Sequence, residues 1–80
     1  MALKNQVIIY TKPGCCLCDR VREQLRELQK RATFQWSEVN IQEDAEALAK
    51  FREEIPVGFV NGQKAFKYRL DEKVFLKLLL

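Results

Sequence analysis

Apolar positions near the start of the chain run together as Val7-Ile8-Ile9-Tyr10, a β-branched and aromatic stretch closed by Thr11-Lys12-Pro13-Gly14. This predicts a buried strand followed by a loop. From about Cys16 to Arg31 the period changes: Val21, Leu25, Leu28 and Ala32 recur at helical steps with Arg, Glu and Gln between them, as in an amphipathic helix. Alternation returns over Thr33 to Asn40, where Phe34 and Trp36 oppose Gln35 and Ser37, and Val39 and Ile41 flank Asn40. This is a second strand.

Asn40 with Glu43 has the spacing of a capping box, and Ala45, Leu48, Ala49 and Phe51 or Arg52 then follow a helical pattern that ends before Ile55-Pro56. Val57 to Val60 and Gln63 to Tyr68 form two short strands joined by Asn61-Gly62, the dipeptide best suited to a two-residue hairpin with positive φ angles. Asp71 caps a last helix. Leu70 and Phe75 stand at its hydrophobic-staple positions, and Val74, Leu78 and Leu79 form its inner face. The order is βαβαββα, with the first βαβ unit a right-handed crossover. An α/β fold follows, with a four-stranded mixed sheet and three helices on its faces.

Length and composition narrow the class. Eighty residues allow one compact domain over 1–80, since a chain this short buries only about 60% of its unfolded surface. With 48% hydrophobic and 31% charged residues the chain has the makings of a packed core. The 14 basic and 11 acidic side chains are interleaved, so the net charge of +3 forms no basic block for a phosphate backbone. The segment Met1-Ala-Leu-Lys-Asn-Gln lacks the features of a secretory signal, and no stretch approaches the roughly 18 apolar residues of a membrane span. The expectation is a cytoplasmic monomer with neither nucleic-acid nor membrane partners.

The 3 cysteines cluster in Cys15-Cys16-Leu17-Cys18, and the chain has no histidine, which removes Cys-His nucleophile activation and every His-containing metal site. The cluster lies where a strand passes through a Pro-Gly turn into a helix. Unpaired N–H groups and the positive end of the helix dipole favour a thiolate there, which makes Cys15 the attacking and more exposed sulfur. Three helical steps put Cys18 about 60° from Cys15, on one side of the first turn, whereas Cys16 lies about 160° from Cys18. Cys18 is therefore the resolving thiol, and Cys16 a neighbour that packs near the helix start as a small apolar residue. Lys12 adds positive potential.

The stretch Tyr10-Thr11-Lys12-Pro13-Gly14-Cys15-Cys16-Leu17-Cys18-Asp19 resembles the active-site segment of glutaredoxins and, more closely, that of the small glutaredoxin-like family of the thioredoxin superfamily. The resemblance covers nearly the whole chain and implies a thioredoxin-like, glutaredoxin-type fold and thiol-disulfide oxidoreductase activity, with electrons passed through the Cys15/Cys18 pair. It places Ile55-Pro56 where that superfamily has its cis-proline beside the active site. Ile55, Pro56 and Lys12 are then the substrate-binding residues, the Ile55 backbone offering strand-like hydrogen bonds to a bound peptide or thiol.

The chain also departs from glutaredoxins. Phe66-Lys67-Tyr68-Arg69 stands where they carry a Gly-Gly pair and an acidic residue for glutathione, and Glu54 replaces a Thr. Lys12 matches the basic residue that meets a glutathione carboxylate. With Phe66 and Lys67 filling or reshaping the groove, protein disulfides or another thiol partner are favoured. No bound cofactor is implied; the reductant is glutathione or a reductase.

Two other chemistries stay open. The thiols suit a zinc or iron–sulfur module shared across a dimer, though the missing histidines and the angle of Cys16 weigh against a four-ligand zinc site. The apolar tail Phe75-Leu76-Lys77-Leu78-Leu79-Leu80 fits a redox-inactive interaction domain, or more simply a core helix with a frayed end.

Overall fold

The Asn61-Gly62 turn forms as its residues demand, with φ of 51° and 85°, and joins β3 (Val57–Val60) to β4 (Gln63–Lys67). The computed structural model describes residues 5–79, so the expectations placed on Met1–Lys4 and on Leu80 lie outside the described residues. β1 (Gln6–Thr11) pairs in parallel with β2 (Gln35–Asn40) and antiparallel with β3, giving the sheet order β2-β1-β3-β4. The helices are α1 (Cys16–Leu28), α2 (Ala45–Phe51) and α3 (Glu72–Leu78). The fold is thus the four-stranded mixed sheet with three helices, in the order βαβαββα.

Side-chain alternation sorts the two faces of the central strand. Val7, Ile9 and Thr11 are buried along one face of β1. Val7 and Ile9 share a core with Val21, Leu25 and Leu28 of α1, and with Phe34, Val60, Phe66, Leu70 and Phe75. Fully burying one such side chain contributes about 1.5–3 kcal/mol. Tyr10 faces the other way and meets Phe51 of α2 and Phe59 of β3, with ring centroids 4.7 and 5.8 Å away. Gly58 lets the Phe66 ring lie directly on the sheet, because a Cβ at Gly58 would overlap that ring.

Several boundaries differ from the sequence pattern. α1 stops at Leu28, where Lys30 and Arg31 donate to the carbonyls of Glu27 and Leu28 three residues back and tighten the chain into a turn. Ala32, read as helical, is half-buried beyond that end. Asn40 caps only a short 3-10 turn, Ile41–Glu43; Asp44 caps α2 instead, accepting from the Ala47 amide at 3.1 Å. Ala47 is the buried residue of α2, while Ala45 and Ala49 face solvent. In α3 the side chain of Phe75 is 1% exposed but Val74 is 44% exposed. The Leu70–Phe75 staple across the Asp71 cap sets that rotation. β4 ends at Lys67 because Tyr68 takes a φ of 67°, outside the strand region.

Candidate functional site

The loop leaving β1 delivers Cys15 to the N-cap of α1, with extended φ and ψ of −93° and 112°. The Cys15 Sγ takes the capping role usually filled by an oxygen, accepting from the Cys18 backbone N–H at 3.2 Å. A helical turn later Cys18 is fully buried, while Cys15 is half-buried. Cys16 is the most exposed of the three, so the expected packing at the helix start is not found. Its position round the helix, away from Cys18, turns it outward.

Burial pushes the Cys18 thiol up to about 12, helped by its hydrogen bond and charge interaction with Cys15; a backbone hydrogen bond from Lys12 and the positive charge of Arg22 act against this rise. Arg22 sits one turn beyond Cys18 and is clamped. Its Nε donates to both carboxylate oxygens of Glu38 on β2, at 2.9 and 3.0 Å, and its other nitrogens reach Glu38 and Asp19. The buried Thr11 hydroxyl donates to the same Glu38 carboxylate. The hydrogen bond from Arg22 holds Glu38 below the ordinary carboxylate range despite partial burial, and Glu38 in turn raises Arg22 further above its already high value. Nothing in the sequence marked Glu38, which lies on a different element.

Of the other residues singled out from sequence, Lys12 is exposed on the loop and its backbone reaches Cys18. The Ile55-Pro56 peptide is cis, with Pro56 buried and Ile55 half-buried. Because Tyr10 pairs with Val57 across β1 and β3, the register brings Pro56 level with Thr11, at the same end of the sheet as the cysteine loop. The Pro56 carbonyl accepts from the Tyr68 N–H at 2.7 Å, and the Tyr68 hydroxyl donates to the Glu53 carbonyl at 2.8 Å. These bonds tie the segment after β4 to the proline loop.

Phe66 does not fill a groove, while Lys67 lines a small surface recess with Glu53, Glu54 and Tyr68. Phe66 belongs to the core, and the exposed Lys67 lies 4.0 Å from Glu54, which also accepts from Lys64 at 2.9 Å. The open surface beside the cysteines is instead a groove of about 900 Å³ between α1 and the segment joining β4 to α3. Cys16, Leu17 and Arg20 line one wall at the cysteine end, and Tyr68 and Arg69 the other. The sequence pattern gives Leu17 and Arg20 no role, and marks Tyr68 and Arg69 only as a departure from the glutathione residues. The available signal was Arg20 one helical turn from Cys16.

Among the described residues no group of three or more Cys, Asp or Glu side chains is placed to hold a metal ion. No described helix is long and apolar enough to cross a membrane.

Residues 6–80 match the family model described as Glutaredoxin-like domain (DUF836). The chain is 28% identical over 69 residues to the Glutaredoxin-like protein YDR286C homolog of Dictyostelium discoideum, a match covering 79% of this chain and 64% of that one. It therefore spans less than two thirds of that relative's length. It is 31% identical over 74 residues to Uncharacterized protein Rv0508 of Mycobacterium tuberculosis, covering 86% and 76% of the two chains. The solution NMR structure of protein Ne2328 from Nitrosomonas europaea superposes with a TM-score of 0.88 at 26% identity, covering 100% of this chain and 96% of that one.

Proposed function

The chain belongs to the glutaredoxin-like family, and from that premise we propose that it is a cytoplasmic thiol-disulfide oxidoreductase working through Cys15 and Cys18. The observation that supports this best is the capping geometry. An amide N–H aimed at the Cys15 sulfur, at a helix N-terminus, stabilises negative charge there, while Cys18 waits buried behind it.

In the proposed cycle the Cys15 thiolate attacks a substrate disulfide, forming a Cys15–substrate bond and releasing one substrate thiolate, which takes a proton from water. Cys18 then gives its proton to solvent or to the leaving sulfur and attacks the Cys15 sulfur. The second substrate thiol leaves and a Cys15–Cys18 disulfide remains. Two electrons pass from the protein to the substrate. A thiol such as glutathione, or a reductase, must return them. Lys12, Ile55 and Pro56 frame the substrate approach, with Lys12 contributing charge and the Ile55 backbone hydrogen bonds.

The test is disulfide reduction by Cys15→Ser and Cys18→Ser variants. We expect the first to lose activity entirely and the second to stop at a trapped mixed disulfide. Undiminished activity in Cys15→Ser rejects the assignment. Failure of the unmodified protein to form a Cys15–Cys18 disulfide leaves the fold as an interaction domain.

A further inference from the structure

The groove beside Cys16 carries features that the cysteine chemistry does not use. Its far part is closed by side chains: Gln24 on α1 donates to the Leu70 carbonyl at 3.4 Å, and Arg31 pairs with Glu72 at 3.0 Å. Its mouth stays open. There Leu17 and Tyr68 are 38% and 41% exposed, an apolar pair on opposite walls. Arg20 and Arg69 flank them, and neither has an ion-pair partner among the described residues. The lining also carries three acidic side chains further along α1 and at the start of α3: Glu27 pairs with Lys30 and Glu72 with Arg31, while Glu23 stands exposed one turn after Arg20.

Tyr68 holds a positive φ of 67°, unusual for a bulky residue. Its backbone and hydroxyl bonds to Pro56 and Glu53 hold the turn that presents Arg69 to the groove. An aromatic ring and arginines around an open cleft are the residue types that anchor protein partners.

We propose that this mouth docks the polypeptide flanking a protein substrate's reactive cysteine, and that Arg20 and Arg69 select substrates with acidic side chains beside that cysteine. The proposal rests on the dithiol reading above for the identity of the occupant. Two guanidinium groups on different elements suit a chain running across the mouth, and the exposed Leu17 and Tyr68 give it apolar footing.

The experiment compares two short peptides, each carrying one cysteine as a mixed disulfide, identical except for Glu or Gln beside the cysteine. We expect the protein to reduce the Glu peptide about three- to tenfold faster at low salt, the range for two exposed charge contacts, with the preference shrinking as salt rises. The ratio of the two rates cancels changes in thiol reactivity. Arg20→Glu combined with Arg69→Glu inverts the ratio, Arg20→Gln with Arg69→Gln brings it near one, and Arg26→Glu, on the same helix outside the groove, keeps it. Equal rates for the two peptides, or a preference that survives charge reversal, overturns the proposal and leaves the oxidoreductase reading intact.

A binding measurement separates the two ideas. In a Cys15→Ser/Cys18→Ser protein, fluorescence anisotropy with the S-alkylated peptides reads docking without turnover, and the Glu peptide binds tighter. Tighter binding without any reduction by the unmodified protein sustains the docking surface and rejects the redox function. Tighter binding of glutathione than of either peptide assigns the mouth to a small thiol and overturns the proposal.

Discussion

The inner and outer faces of α1 share one helix but carry opposite tasks. On the inner face Cys18, Val21, Leu25 and Leu28 are buried against the sheet, so each position is constrained by volume and polarity. On the outer face Cys16, Arg20, Glu23 and Glu27 line an open groove, where no neighbour dictates size. A thiol on the inner face is held protonated and shielded. Two residues away, Cys16 meets solvent. The environment, more than the residue type, thus assigns each cysteine its chemistry.

The sharpest way to break this contrast is thiol labelling of the reduced native protein at about pH 8. With Cys18 raised from 9.0 to about 12, its thiolate population is about a thousandfold below that of an ordinary thiol. We expect iodoacetamide, followed by mass spectrometry, to modify Cys16 early and leave Cys18 intact until denaturant is added. Comparable labelling of the two in the folded state removes the distinction.

The next largest effect is on stability. Leu25→Ala on the inner face is expected to cost about 2–5 kcal/mol in urea unfolding, whereas Glu23→Ala on the outer face stays within about 0.5 kcal/mol. Gly58→Ala tests the same packing from the sheet side. Forced against the Phe66 ring, it should cost about 1–3 kcal/mol, and adding Phe66→Leu should recover part of the loss.

The smallest effect sharpens the edge between the faces, where Glu38 and Arg22 meet. Glu38→Gln should cost about 1 kcal/mol or less at neutral pH, since the pair is partly exposed. Glu38 is held below its ordinary 4.5, and a depressed acid contributes stability that is complete above the unfolded value and lost as pH falls through the folded one. The advantage of the native protein over Glu38→Gln therefore shrinks below about pH 4.5, as followed by unfolding across that range. An advantage that grows on acidification contradicts the clamp.

Sequence alone determined the local parts of this protein. The strand-loop-helix setting of the cysteines, the Asn61-Gly62 hairpin and the Asp71 cap depend on neighbouring residues and backbone preferences, and the periodicity of α1 named Val21, Leu25 and Leu28 among its buried side chains. The cis Ile55-Pro56 peptide was reached only through resemblance to a family, because its local sequence favours trans. Tertiary structure decided whatever required distant segments to meet. Phe66 turns inward because Gly58 on the facing strand leaves room for its ring. Glu38 becomes the partner of Arg22 because β2 returns beside β1, and the Tyr68-Arg69 turn forms a groove only when set against α1. The spacing of residues along a chain encodes the faces of a helix, but which surface each face meets follows from how the sheet and helices pack.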